Sequence, residues 1–246
     1  MILATLSLVL STSPLVSGLS PVTPQADPLE LHQLAATSGA PAEEQEVVKT
    51  EHWAGHQVVF GKRDVPVLGT LETRMDTWVI ARVRRTADSI QIDQRACKVN
   101  YSDVGGVKVY VDADALPDSR IVFEAVEGTP HFTMSGTVNW GEEDIDEDGE
   151  PGMRVYVDAG VCSGNLHVTN KTTTSARAFG DDKGTPIYGE VTVSVRQKIL
   201  GADGKCLAAM AKDSYESSKG SFRYAKIKAN ETCQSLLDAG WPVSAR

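Results

Sequence analysis

IYGEVTVSVRQKI, residues 187–199, is the stretch that decides the fold. Apolar and polar side chains alternate along it, with Val191, Val193 and Val195 on one side and Thr192, Ser194 and Arg196 on the other. A period of two is typical of an antiparallel strand with one face in a core and the other in water or in a polar cavity. The stretch therefore predicts a β-strand.

Similar runs, rich in Val, Ile, Thr and aromatic residues, recur on both sides of this stretch. They predict strands at residues 57–60, 67–74, 77–84, 89–99, 107–111, 121–125, 132–140, 153–158, 165–178, 205–211 and 221–227. Asp203-Gly204 predicts a hairpin turn before the strand at 205–211. Residues 233–239, CQSLLDA, predict a short helix that Gly240 ends. We therefore expect an all-β antiparallel meander, a closed or partly open β-barrel, with a short C-terminal helix.

The chain divides into three parts. Residues 1–18, MILATLSLVLSTSPLVSG, are apolar, lack charged side chains and end in small residues, which predicts a signal peptide. Residues 19–50 are rich in Pro, Ala and Glu, a composition that predicts a flexible leader. Residues 51–246 then form a single barrel-like domain. We expect a secreted or periplasmic protein without a transmembrane span in its mature form.

Cysteine usage agrees with export. The four cysteines lie in the barrel-like domain and make no C-x-x-C or Cys/His cluster of zinc spacing. An even number of cysteines in an exported chain predicts disulfides, and buried free thiols are the alternative. Of the three possible pairings we favour Cys206 with Cys233, which closes a local loop, and Cys97 with Cys162, which links two strands.

The clearest candidate for a chemical site is residues 142–150, EEDIDEDGE, which we call the acidic loop. Seven of these nine residues are acidic, and removing them from the formal net charge of -9 leaves -2. Asp144-x-Asp146-x-Asp148-Gly149 is the first half of an EF-hand calcium loop, because alternate carboxylates wrap a hard cation and the glycine permits the turn. The closing Glu at the twelfth position is replaced by Val155. Glu150 or Asp158 is expected to complete a weak structural calcium site; the alternative is a solvated turn.

The turn Asp144-x-Asp146-x-Asp148-Gly149-x-Pro151-Gly152 between two strands resembles that of secreted bacterial β-rich proteins, and this resemblance implies no activity. The layout is also similar to lipocalin-like barrels. The likeness to lipocalins is architectural, because Trp53 follows Glu51 and His52 and the glycine of a G-x-W motif is missing.

No catalytic signature occurs: G-x-S-x-G, H-E-x-x-H, phosphate-binding glycine loops and dinucleotide fingerprints are all lacking. The basic residues are scattered and the net charge is negative, which disfavours nucleic acid as a partner. We therefore expect an exported non-enzymatic barrel that binds a small ligand or a cell-surface component. The alternatives are a structural envelope component and a secreted hydrolase. Such a hydrolase would use carboxylates of the acidic loop beside His131 or His167, or the pair Glu142 and Asp158.

Overall fold

The computed structural model describes residues 50–65, 69–180 and 185–246. The predicted signal peptide at residues 1–18 and nearly all of the predicted leader at 19–50 lie outside the described residues. No helix in the described part of the chain is long and apolar enough to cross a membrane.

Ten strands and two short helices make up the described chain. They are β1 Glu51–Val65, β2 Gly69–Arg85, β3 Ser89–Tyr101, β4 Lys108–Tyr110, β5 Ser119–Ala125, β6 His131–Trp140, β7 Met153–Asp158, β8 Gly164–Phe179, β9 Ile187–Ala202, α1 Gly204–Met210, β10 Ser214–Lys226 and α2 Cys233–Ala239.

Eight strands form a closed antiparallel barrel, in the order β1, β2, β3, β5, β6, β8, β9 and β10. Pairing of β10 with β1 and of β8 with β9 closes the ring. Closure satisfies the backbone donors and acceptors that an open sheet would leave at its edges. The predicted all-β barrel with a short C-terminal helix is confirmed.

β6 and β7 follow one another along the same side of β8, and the acidic loop connects them. Trp140, which ends β6, lies opposite Asn170 of β8. Met153, which begins β7, lies opposite Val168, two residues along the same strand. Residues 141–152 therefore leave the wall and return to it at almost the same point. β4 pairs with β7 on the side away from β8.

The barrel interior holds two apolar clusters that arise from the period-two alternation of the strands. The first includes the buried Trp53, Ile92 and Phe222, and the second includes Met153 and Leu166. Burying a side chain of this size stabilises the fold by about 1.5 to 3 kcal/mol. These clusters account for most of the apolar driving force.

The C-terminal segment covers the outer face of β1. Helix α2 begins at a capping box formed by Thr232 and Ser235. After the helix, Trp241 Nε1 donates to the carbonyl of Gly55 at 3.0 Å, and the backbone N–H of Ala245 donates to His56 Nδ1 at 2.8 Å. The chain terminus is thereby held against the wall.

Two strand predictions were wrong in detail. Residues 205–211 were expected to form a strand after a hairpin turn, whereas α1 spans Gly204–Met210. Ala, Leu, Met and Lys dominate this segment and are strong helix formers. The break expected between residues 74 and 77 is also not present in the described chain, where β2 runs through both predicted strands.

The predicted disulfide pairing was wrong. The bridges are Cys97–Cys233 and Cys162–Cys206, with Cα–Cα distances of 5.3 and 5.5 Å. Cys206 and Cys233 lie before and after β10, whose thirteen residues extend over about 40 Å at 3.3 Å each. A strand of that length separates the two cysteines along the chain, and each lies beside its observed partner instead. Two disulfides nevertheless fit an extracellular or periplasmic protein.

Candidate metal loop and barrel interior

The acidic loop is closed at its base by two backbone hydrogen bonds. Ile145 N donates to Gly152 O, and Gly152 N donates to Glu143 O, each at 3.1 Å. Gly152 has φ +85°, and a Cβ atom there would lie 2.6 Å from the carbonyl oxygen of Val168. Glycine is therefore required where the loop rejoins the wall.

The carboxylates of Asp144, Asp146 and Asp148 converge inside this loop. Each of the three offers one oxygen within 4.8 Å of the others. The side chains of Asp146 and Asp148 are 3% and 7% exposed. Asp146 Oδ1 is buried and has no hydrogen-bond partner among the described residues. Three oxygen donors that converge, one of them buried without a partner, are the donor set that a hard cation takes.

The remaining oxygens of the three aspartates shape the turn. Asp144 accepts from the backbone N–H groups of Asp148 at 3.1 Å and Gly149 at 2.8 Å. Arg154 Nε lies 3.5 Å from Asp148 Oδ2 and 3.8 Å from Asp146 Oδ2, and His167 Nδ1 lies 3.9 Å from Asp148 Oδ2. These positive or protonatable groups face the carboxylates at distances beyond a hydrogen bond.

Glu150 and Asp158, expected as closing ligands, stay outside the group of converging carboxylates. Asp158 lies at the other end of β7 and accepts from Ser163 Oγ at 2.8 Å and from Gly160 N at 3.1 Å. These hydrogen bonds hold the pKa of Asp158 below its ordinary value. Asp158 therefore caps the turn after β7, and the proposal that it completes the ion's shell is wrong on this geometry.

The residues considered for a hydrolase lie in different surroundings, and His167 is buried. Glu142 pairs with Lys198 at 3.5 Å, and the ring of His131 packs 5.9 Å from that of Phe179. A cleft of about 310 Å³ does lie beside the acidic loop; it is lined by Tyr110, Val111, Asp112, Ala115, Asp146, Met153, Arg154 and Tyr156. Of the two histidines considered, His167 lies near the aspartates of the loop, with Nδ1 3.9 Å from Asp148 Oδ2.

A second polar site, which the sequence did not reveal, lies inside the barrel. Trp140, Asn170, Gln197 and Ser214 stand opposite one another on the adjacent strands β6, β8, β9 and β10. We call these four residues the polar row. Trp140 Nε1, both side-chain polar atoms of Asn170, Gln197 Nε2 and Ser214 Oγ are buried and lack a hydrogen-bond partner in the described structure.

The alternation of the strands places the polar row on the inner face. Asn170 is 3% and Gln197 is 2% exposed, whereas their chain neighbours Lys171 and Lys198 are exposed. Next to the row on β10 lies Glu216, which is 8% exposed. The row and Glu216 therefore form a polar layer inside the barrel.

A second interior polar cluster, around Tyr224, is largely hydrogen-bonded, whereas the row brings unpartnered atoms from four adjacent strands together. Gln57 Nε2 donates to the hydroxyl of Tyr224 at 2.7 Å, and that hydroxyl donates to Gln94 Oε1. Burial raises the pKa of Tyr224 far above its ordinary value, and the hydrogen bond from Gln57 opposes this rise. Within this cluster Gln94 Nε2 has no hydrogen-bond partner in the described structure, so the two clusters differ in how many of their polar atoms are left unpaired.

The sequence carried only a faint signal for the row. Asn170, Thr172 and Thr174 are polar residues in the inward phase of a strand, and the Thr-rich segment suggested ordinary strand composition. Only the register between β6, β8, β9 and β10 shows that polar residues in this phase meet. Neither a known protein-family model nor a curated protein matches this chain.

Proposed function

We propose that this chain is an exported, non-enzymatic β-barrel protein that binds a small ligand inside the barrel at the polar row. The observation that carries the proposal is the row itself, four neighbouring residues with buried polar atoms that lack partners in the described chain. Two disulfides support the exported location.

Energetics favour a bound molecule at the row. A buried donor or acceptor without a partner costs about 1 to 3 kcal/mol, so several in one place are a large cost for a fold of ordinary stability. An eight-stranded barrel has room for side chains or for one small ligand. A ligand that hydrogen-bonds to Asn170 and Gln197 offsets that cost only when it is present, and this is the behaviour of a binding site.

Native mass spectrometry of protein purified from its own host tests the proposal. The parent protein is expected to carry a small-molecule adduct, and Asn170→Leu with Gln197→Leu is expected to lose it. The matched control is Thr169→Leu with Lys198→Leu, since these two residues face each other on the same strands one position away. The control should keep the adduct. A bare parent polypeptide, or an adduct that survives the Asn170 and Gln197 changes, would refute binding at the row.

A structural calcium ion in the acidic loop is a second element of the proposal. The convergence of Asp144, Asp146 and Asp148 supports it, together with the buried oxygen of Asp146 that lacks a partner among the described residues. Three carboxylates without a bidentate closing Glu predict weak affinity, on the order of 0.1 to 1 mM. The ion would relieve the repulsion between carboxylates crowded into one turn.

Thermal unfolding tests the ion site. Calcium at tenfold excess over its Kd should stabilise the fold by about 1.4 kcal/mol, whereas sodium chloride of equal ionic strength only screens. Asp146→Asn with Asp148→Asn should remove the difference between the two salts. Asp88→Asn with Asp118→Asn serves as the control, since both residues are exposed acids outside the converging group and outside the cleft beside it. Equal shifts by calcium and sodium chloride in the parent would show that the loop is only a turn.

The alternative function, a secreted hydrolase, is favoured by one observation. The cleft beside the acidic loop includes Asp146 and Arg154, and His167 Nδ1 lies 3.9 Å from Asp148. Against it, His167 is 9% exposed and is not among the residues that line the cleft. Hydrolysis in a panel of ester, peptide and glycoside substrates that His167→Gln abolishes would establish this alternative in place of the binding function.

A further inference from the structure

Glu216 is the charged group of the polar layer. Its Oε1 accepts from Ser218 Oγ at 2.9 Å and from Thr73 Oγ1 at 3.3 Å. Gly61 leaves the space for this carboxylate, because a Cβ atom at Gly61 would collide with Glu216 Oε1. The neighbouring strands β1 and β2 therefore accommodate an acidic side chain inside the barrel.

Glu216 has no positive partner among the side chains that the structure describes, which are those of residues 50–62, 72–180 and 185–246. Ion pairs there involve other acids, and the partners of Glu216 are two neutral hydroxyls. Burying a carboxylate without a counter-charge is among the most costly arrangements in a protein interior. A carboxylate kept in such a place is typical of a site whose counter-charge arrives with the ligand.

Aromatic side chains border the same layer. The negative charge of Glu216 acts on the hydroxyl of Tyr101: burial first, and then this charge, raises the pKa of that hydroxyl well above its ordinary value. The hydroxyl of Tyr101 is buried and lacks a hydrogen-bond partner in the described chain, as does Nε1 of Trp140. The oxygen of the Tyr101 hydroxyl, close enough to Glu216 to be affected by its charge, is a further acceptor for a cationic donor.

We infer that the ligand of the barrel is a small organic ammonium ion carrying a hydrogen-bond acceptor, and that Glu216 selects it by charge. This inference rests on the proposed binding function and names its ligand class. The ammonium group would be held by Glu216 beside Tyr101. The acceptor would take the N–H donors of Asn170 and Gln197.

The charge of Glu216 argues against other small molecules. An anion would meet the buried carboxylate at close range in a medium of low dielectric constant, where like charges repel strongly. A neutral molecule would satisfy the polar row and leave the carboxylate without a counter-charge. Only a cation with an acceptor satisfies both halves of the layer.

Calorimetric titration with matched probe pairs tests the inference. The first pair is choline and its neutral carbon isostere 3,3-dimethylbutanol; the second is 3-methoxypropylammonium and its neutral isostere 1-methoxybutane, which carry the same acceptor oxygen. At least one ammonium probe should bind at least about 30-fold more tightly than its neutral partner, which is the lower limit for removing one member of a buried charge pair. Glu216→Gln should abolish that preference. Glu190→Gln, a change at an exposed position of β9, should leave it intact.

A stability measurement separates a binding role of Glu216 from a structural one. Ligand-free Glu216→Gln protein should melt cooperatively at a temperature equal to or above that of the parent, because the change removes a buried charge and keeps a side chain that can accept from Ser218 and Thr73. A lower melting temperature for the variant would assign Glu216 to the structure and overturn the inference.

The outcomes distinguish the inference from the proposal beneath it. If each neutral probe binds as tightly as its ammonium partner, the charge selection is wrong and the binding barrel stands. If no probe binds and the parent is a bare polypeptide in native mass spectra, both are wrong.

Discussion

The acidic loop and the polar row are both polar sites, and they are built in opposite ways. The three aspartates of the loop lie within five consecutive residues, and two backbone hydrogen bonds hold the loop closed. The row takes one residue from each of four strands, from Trp140 to Ser214, and only the register brings them together. The acidic loop is specified by residues close together in the sequence. The polar row exists only in the folded barrel.

The comparison predicts that the loop can be perturbed without the row, and the reverse. The acidic loop projects from the barrel wall between β6 and β7, and both strands pair with β8 at neighbouring positions. The row lies between two apolar clusters of the interior and depends on every strand around it. Substitutions that destabilise the whole barrel should therefore disrupt the polar row before they disrupt the acidic loop.

Removal of a disulfide has the largest expected effect. Cys97–Cys233 spans 136 residues of sequence and Cys162–Cys206 spans 44, so replacing each pair by alanine should cost about 5 and about 4 kcal/mol of stability. Urea unfolding measures both values. The calcium increment of the loop should persist in each variant that still folds. If removal of the Cys97–Cys233 bridge also abolished the stabilisation by calcium, the loop and the barrel would be coupled, contrary to the comparison.

Gly152→Ala should have the next largest effect, because it combines a positive φ with a clash against the carbonyl of Val168. We expect a loss of about 2 to 3 kcal/mol and of the calcium response, with the adduct retained. Gly149→Ala is the matched control: its φ is +89°, and a Cβ atom there would meet open space. It should cost only about 1 kcal/mol. Equal losses of stability in the two variants would contradict the close approach of Gly152 to the carbonyl of Val168.

Protonation of His56 should have the smallest effect. Burial lowers the pKa of His56 below its ordinary value of 6.5, although Asp76, at 3.0 Å, opposes the shift. Its Nδ1 accepts from Ala245 N and must be unprotonated to do so. The unfolded chain therefore binds the proton more readily, and stability should fall as the pH drops below 6.5 until the pKa of the folded state is passed.

The measurement for His56 is the free energy of unfolding in urea between pH 7.5 and pH 5. One proton limits the slope to about 1.4 kcal/mol per pH unit. His56→Gln should flatten this part of the curve, and His52→Gln should not. An unchanged slope in His56→Gln would show that other groups carry the pH dependence. This effect concerns the outer face of β1, so neither the calcium response nor the adduct should change.

The sequence predicted the barrel well because alternation is a local property. Val191, Val193 and Val195 face the core as their period-two pattern indicated, and α2 occupies the predicted residues. The sequence does not predict the helix α1, because Asp203-Gly204 is a strong hairpin signal and stands directly before residues whose helix propensity is a weaker one. The correct disulfides could not be read from spacing, since both join segments that meet only in three dimensions.

The two candidate sites differ in the same respect. The three converging aspartates were visible as a motif, but the expected fourth ligand, Asp158, points into its own turn. Nothing local distinguishes Asn170 or Gln197 from polar residues on the outer face of a strand. A shift of one residue in register would turn them outward.

The most direct test of the central claim is the free energy of unfolding of ligand-free Asn170→Leu with Gln197→Leu, compared with the ligand-free parent and with the outward-facing control Thr169→Leu with Lys198→Leu. If the row is kept for binding, the double variant should be more stable than the parent by about 2 kcal/mol, because buried polar atoms without partners are removed. The control should change stability by less than about 0.5 kcal/mol. A double variant that is several kcal/mol less stable than the parent would show that the row supports the fold, and would contradict the account.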